Sequence, residues 1–125
     1  MVVTYTPHVL VVEDDPAFRD LLLLRLRALG LEATAAGSVP AAIGVLEREH
    51  VDTILSDHEL PGATGLALLA YVRRALPLVP FVLMSANVER SLRSRALAGG
   101  AEAVYEKPDL LRALPGLFAG VPAAA

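Results

Sequence analysis

The sequence predicts an α/β fold in which a five-stranded parallel sheet is covered by helices on both faces. Three observations point there. Short apolar runs without polar alternation recur along the chain, as strands buried on both faces require. Segments with apolar residues at helical spacing lie between them. The connections joining the two kinds of segment are short, which suits a chain that crosses a sheet repeatedly in one sense.

The first run is His8-Val9-Leu10-Val11-Val12. Asp14 or Asp15 is placed to cap the helix that follows, and Pro16 suits its first turn. Phe18, Leu21, Leu22, Leu26 and Leu29 share one side of that helix, and Gly30 stops it. Leu31 to Ala36 is a weaker strand, after which Ser38 caps a helix running to about Arg48. Val51 to Ser56 is the third strand and enters Asp57. Beyond the loop His58-Glu59-Leu60-Pro61-Gly62, a helix from about Gly65 to Ala75 is closed by Pro77. Pro80 to Met84 is the fourth strand, ending at Ser85; Asn87 is positioned to cap a helix over Val88 to Ala98, ended by Gly99-Gly100. Ala103-Val104-Tyr105 is a short fifth strand leading to Lys107-Pro108. A last helix begins near Asp109, and Pro115-Gly116 is expected to break it after little more than one turn. The chain reads as one domain over 1–125, with a core from about 8 to 119 and a frayed tail over 120–125.

Composition narrows the function. The chain has 125 residues, 54% hydrophobic and 20% charged, with a formal net charge of −3. Mild acidity argues against broad contact with nucleic acid or an anionic membrane, since both need a dominant basic face. The absence of Cys excludes disulfides, thiolate zinc sites and a Cys nucleophile. No apolar run approaches the ~18 residues of a membrane span, and the N-terminus lacks the features of a signal peptide. These points describe a soluble domain compatible with a reducing compartment.

In parallel sheets of this kind the functional crevice lies at the carboxyl ends of the strands. Four of the five ends hold reactive groups: Glu13-Asp14-Asp15 after strand one, Asp57 after strand three, Ser85-Ala86 after strand four, and Lys107-Pro108 after strand five. Clustered carboxylates repel unless a cation joins them, and hard oxygen ligands favour Mg²⁺ or a similar ion such as Mn²⁺. A carboxylate facing that metal can attack a phosphoryl group, with metal, ammonium and hydroxyl sharing the phosphoryl oxygens. Lys107 is the only Lys in a chain that otherwise uses Arg. A compact point charge suits a narrow phosphate pocket better than a guanidinium fork. Asp15 is read as a helix cap, His58 as a solvated loop residue, and Arg90, Arg93 and Arg95 as a solvated helix face.

Four pieces in this order, VLVVEDDP at 9–16, LSDHELPGATG at 55–65, SA at 85–86 and GAEAVYEKP at 100–108, resemble the receiver domain of two-component response regulators. The resemblance covers roughly Val9 to Leu114 and implies a flavodoxin-like (βα)5 fold with strand order 2-1-3-4-5. It implies that Asp57 is the phosphoacceptor and that Mg²⁺ or Mn²⁺ is held by Glu13, Asp14, Asp57 and the Glu59 backbone carbonyl. Ser85 and Ala86 would meet the phosphoryl group, with a shift centred on Ser85 to Val88. Lys107 would pair with Asp57 before phosphorylation and with the phosphoryl group afterwards, aimed by a cis peptide at Pro108. The implied protein is bacterial and cytoplasmic, without turnover of its own. It takes phosphate from a histidine kinase or histidine phosphotransfer protein and acts on a downstream partner or as a homodimer, with no direct role for nucleic acid or membrane.

The sequence departs from that pattern at several points. Val104 stands where the family has a switch aromatic, and Tyr105, one position later, points to the opposite face. Asp109 and Pro115 alter the last helix, and Glu59 places a carboxylate near the metal site, where it could slow small phosphodonors or replace a water ligand. Two alternatives stay open: a pseudo-receiver used only for protein contact, and an Asp-nucleophile phosphatase, which would want Asp at position 59.

Overall fold

The computed structural model describes residues 5–119. Strands β1 (His8–Val12), β2 (Glu32–Ala36), β3 (Thr53–Asp57), β4 (Phe81–Ser85) and β5 (Ala103–Glu106) alternate with helices. These are α1 (Pro16–Ala28), α2 (Val39–Arg48), α3 (Gly65–Ala75), α4 (Arg90–Ala98) and α5 (Lys107–Leu117). The strands form one parallel sheet in the order β2-β1-β3-β4-β5, as the resemblance implies. The expected fraying of 120–125 lies outside the described residues.

Alternation along each strand divides the core between the two faces. Leu10, Val12, Ile54, Phe81, Leu83 and Val104 face one cluster with α2, α3 and α4. Val9, Val11, Leu55, Val82 and Met84 face the other, with Leu22 and Leu26 of α1 and Leu110 and Leu114 of α5. Both faces are thus apolar, which accounts for strand sequences without polar alternation. Among the described residues no helix is long and apolar enough to cross a membrane.

Ser38 caps α2 through Ala41 N–H, and Thr64 caps α3 through Ala67 N–H. Asp15 stands at the N-cap of α1, but its side chain makes no capping bond; only its backbone carbonyl is used, by Arg19 N–H. The start of α4 also differs from expectation. Asn87 does not cap it, because its backbone N–H and carbonyl lie against the Ser85 hydroxyl, and the helix begins two residues late at Arg90, after Glu89.

Two expectations about the last helix fail. Pro115 does not stop α5, which continues to Leu117. Leu110, Leu114 and Phe118, spaced four apart, are all buried against the sheet, and that packing outweighs one lost backbone bond. The Lys107–Pro108 peptide is trans, as are all described peptides. Lys107 and Pro108 are themselves the first residues of α5, where the fixed φ of Pro suits the first turn.

Candidate functional site

The register of the sheet brings the predicted groups to one edge. Val12 lies opposite Ser56, Asp57 opposite Met84, and Ser85 opposite Glu106. Glu13, Asp57, Ser85 and Lys107 therefore leave neighbouring strands at nearly one level, on both sides of the β1–β3 junction where the winding of the sheet reverses.

Close packing beneath Asp57 depends on Gly65. A Cβ there would lie 2.4 Å from the Asp57 carbonyl oxygen and 2.9 Å from His58 Cα. Only Gly lets α3 begin this near the end of β3. His58 is pinned by its backbone, donating to Met84 O and accepting from Gly65 N–H, both within 2.9 Å. His58 remains a loop residue but is half-buried, with its Nδ1 inaccessible and without a hydrogen-bond partner among the described residues, so the reading of it as solvated holds only in part.

Asp57 is 2% exposed and Glu13 fully buried. Lys107 Nζ stands 2.9 Å from Asp57 Oδ2 and 2.9 Å from Glu13 Oε2, bridging the two carboxylates. Asp57 Oδ1 accepts the Glu59 N–H at 3.1 Å, and Glu13 Oε1 accepts the Asp15 N–H at 3.1 Å. Asp14 is exposed at the mouth of the site. One oxygen from each of Glu13, Asp14 and Asp57 lies within 4.8 Å of the others. This all-oxygen, anionic set fits a hard divalent cation such as Mg²⁺.

Charge in the pocket is under-compensated. Burial, with the Glu59 carboxylate and Glu13 nearby, raises Asp57 to about 7 despite the opposing pull of Lys107. Burial works against the Lys107 ammonium as well, but bonds to Glu13 and Asp57 hold its affinity for the proton above the ordinary value. A cation beside Asp57 relieves the strain that raises its carboxyl.

Sequence reasoning missed two contacts. Lys107 Nζ sits 5.0 Å from the centre of the Phe18 ring, whose place on α1 below the acidic turn was the only available signal. The Glu59 side chain is the second. Its carboxylate is not one of the Glu13–Asp14–Asp57 set, but it accepts the Ser85 hydroxyl at 2.5 Å while also standing against the Asp57 carboxyl. That bond and Asp57 bring Glu59 below the ordinary carboxyl range, although burial acts in the other direction. Ser85 is fully buried, with Ala86 exposed beside it. Val104 is buried among the residues facing α2, α3 and α4, while Tyr105 packs on the opposite face, as the one-residue shift predicts.

Comparison with known proteins agrees with this architecture. The model of the response regulator receiver domain family matches residues 9–115. The response regulator protein FleR of Pseudomonas aeruginosa is 39% identical over 111 residues, covering 89% of this chain and 24% of FleR. The sensor histidine kinase RcsC of Escherichia coli is 32% identical over 100 residues, covering 80% of this chain and 10% of RcsC. The chain thus spans about a quarter or less of the length of these curated relatives. Among solved structures, the chemotaxis protein CheY4 of Vibrio cholerae superposes with a TM-score of 0.86 at 22% identity, covering 94% of this chain and all of that one. A putative response regulator from Chloroflexus aurantiacus gives 0.81 at 26% identity, covering 92% and 99%. The family match across nearly the whole sheet, joined to the strand order and the acidic edge, shows that the chain belongs to the response regulator receiver domain family of two-component systems.

Proposed function

We propose that the chain is a phosphorylatable switch that accepts a phosphoryl group on Asp57 from the phosphohistidine of a histidine kinase or histidine phosphotransfer protein. The observation that supports this best is the placement of Asp57: a buried carboxylate 2.9 Å from the only Lys and within 4.8 Å of two further carboxylates. An Asp57 oxygen forms the new P–O bond as the P–N bond breaks, and the electron pair returns to the imidazole nitrogen, which takes up a proton. Glu13, Asp14 and Asp57, with the Glu59 backbone beside them, would hold Mg²⁺ or Mn²⁺, which supplies charge neutralisation at the phosphoryl oxygens. Lys107 offers its ammonium to the same group, and Ser85 a hydroxyl. Later attack by water on phosphorus breaks the bond to the Asp57 oxygen, releases inorganic phosphate and returns the carboxylate, so the domain contributes to its own chemistry without turning over a substrate. The new charge biases a two-state equilibrium centred on Ser85 to Val88, which controls a downstream partner.

The test is incubation with acetyl phosphate and Mg²⁺, followed by intact mass. An acid-labile gain of about 80 Da, absent in Asp57→Asn, is expected. No adduct from acetyl phosphate or from a panel of histidine kinases overturns the reading. Val104 favours a second reading, contact without phosphorylation, because a buried Val has no ring to reorient. Mg²⁺-dependent binding of beryllofluoride separates the two.

A further inference from the structure

Ser85 has no accessible surface, and its hydroxyl is already engaged. Oγ donates to Glu59 Oε1 at 2.5 Å, the range of a charge-assisted O–H···O⁻ bond, and a hydroxyl has one proton to donate. The Asn87 carbonyl is farther off at 3.0 Å, and the Asn87 N–H reaches Oγ at 3.4 Å. Glu59 itself is an exposed residue of the β3–α3 loop, so its carboxylate reaches inward from solvent to cover a buried group. On its outer side Glu59 also lines a cleft of about 230 Å³ shared with Asn87, Glu89, Ser91 and Arg95. The side chain is seated on Ser85, and the cleft it lines, which also holds the Arg95 side chain, offers room for it elsewhere.

We propose that Glu59 is a positioning residue whose carboxylate latches the Ser85 hydroxyl in the resting site and must release it before a phosphoryl group on Asp57 can use it. The proposal rests on Asp57 being the phosphoacceptor. A phosphoryl oxygen and the Glu59 carboxylate are both anions competing for one proton, and they repel each other at short range. Phosphoryl capture by Ser85 then requires Glu59 to swing toward the cleft and Arg95. The latch ties the loop after β3 to the loop after β4, so the resting state is held by a bond that phosphorylation replaces with its own.

The test is a double-mutant cycle of Glu59→Ala and Ser85→Ala, read in two ways. Calorimetry of beryllofluoride binding in the presence of Mg²⁺ should show Glu59→Ala tightening affinity at least tenfold in the Ser85 background and less than twofold in the Ser85→Ala background. Unchanged affinity, or equal tightening in both backgrounds, overturns the latch; equal tightening would mean that Glu59 acts through charge alone. The second readout needs neither metal nor beryllofluoride. Urea unfolding should give a coupling of about fivefold in the unfolding constant, and the Ser85 and Asn87 amide resonances should move in Glu59→Ala. Absence of coupling overturns the latch. Coupling with no beryllofluoride binding in any variant overturns the phosphoacceptor reading while leaving the Glu59–Ser85 contact in place.

Discussion

Replacing Asp57 with Asn should stabilise the metal-free protein, and the gain should grow as pH rises from about 4 to 8. Burial raises the Asp57 carboxyl from 3.8 to about 7, with Glu59 and Glu13 adding to the effect. An acid raised in this way keeps its proton longer in the native state than in the unfolded one. Its favourable contribution is complete below the unfolded value and is lost as pH climbs through about 7. Roughly three pH units at about 1.4 kcal/mol each would be about 4 kcal/mol, and solvent screening at the open edge reduces this to about 2 kcal/mol. Asn has nearly the same shape and does not ionise, so titrations of groups remote from Asp57 cancel in the difference. The assay is urea unfolding in EDTA at several pH values, comparing wild type with Asp57→Asn. The variant should gain about 2 kcal/mol relative to wild type between pH 4 and 8, then stay parallel. Parallel curves throughout, or a difference that shrinks as pH rises, would refute the argument that Asp57 is buried at an energetic cost.

Two further perturbations examine the support around Asp57. Lys107→Ala leaves Glu13 and Asp57 facing each other without a counter-ion, so the metal-free domain should lose about 2 kcal/mol in urea unfolding. The same variant should bind Mg²⁺ more tightly by calorimetry, and weaker binding would show that Lys107 does not compete with a cation for those oxygens. Gly65→Ala forces a methyl to within 2.4 Å of the Asp57 carbonyl, and unfolding should show a loss of about 2–3 kcal/mol. A change within about 0.5 kcal/mol would mean that the start of α3 has slack that its packing does not suggest.

How much of this was legible in the sequence depends on what sets each feature. The strands and most helices were readable because both sheet faces are apolar and the caps are local: Ser38 bonds Ala41 N–H only three residues on. Asp57, Glu13 and Lys107 were readable because a parallel sheet carries strand ends to one edge whatever lies between them. The α5 helix was misjudged because local propensity at Pro115 competes with long-range burial of Leu110, Leu114 and Phe118, which a one-dimensional reading underweights. The start of α4 was misjudged for the opposite reason. Asn87 is a good cap in isolation, but its backbone is engaged with Ser85. The direction of the Glu59 side chain was not readable at all, since position alone allows it to face the cation cluster or the hydroxyl.

That last point bears on how the site rests. Lys107 holds Asp57 and Glu13 through one ammonium, and Glu59 holds Ser85 through one proton. The ammonium of Lys107 and the hydroxyl of Ser85 are thus each already paired with a carboxylate of the same chain, and Asp14 stands at the mouth without a side-chain hydrogen bond or ion pair among the described residues. Glu13, Asp14 and Asp57 would together hold a divalent cation, whose charge would neutralise the carboxylates that Lys107 now bridges. A phosphoryl group would then draw the hydroxyl from Glu59. On the proposed reading, each event would replace an internal carboxylate contact with an external one, so the two would favour each other. On this argument the movable parts are the long side chains of Lys107 and Glu59 and the loop at Ser85 to Val88. The gap between resting and modified states is set by how tightly those internal partners compete.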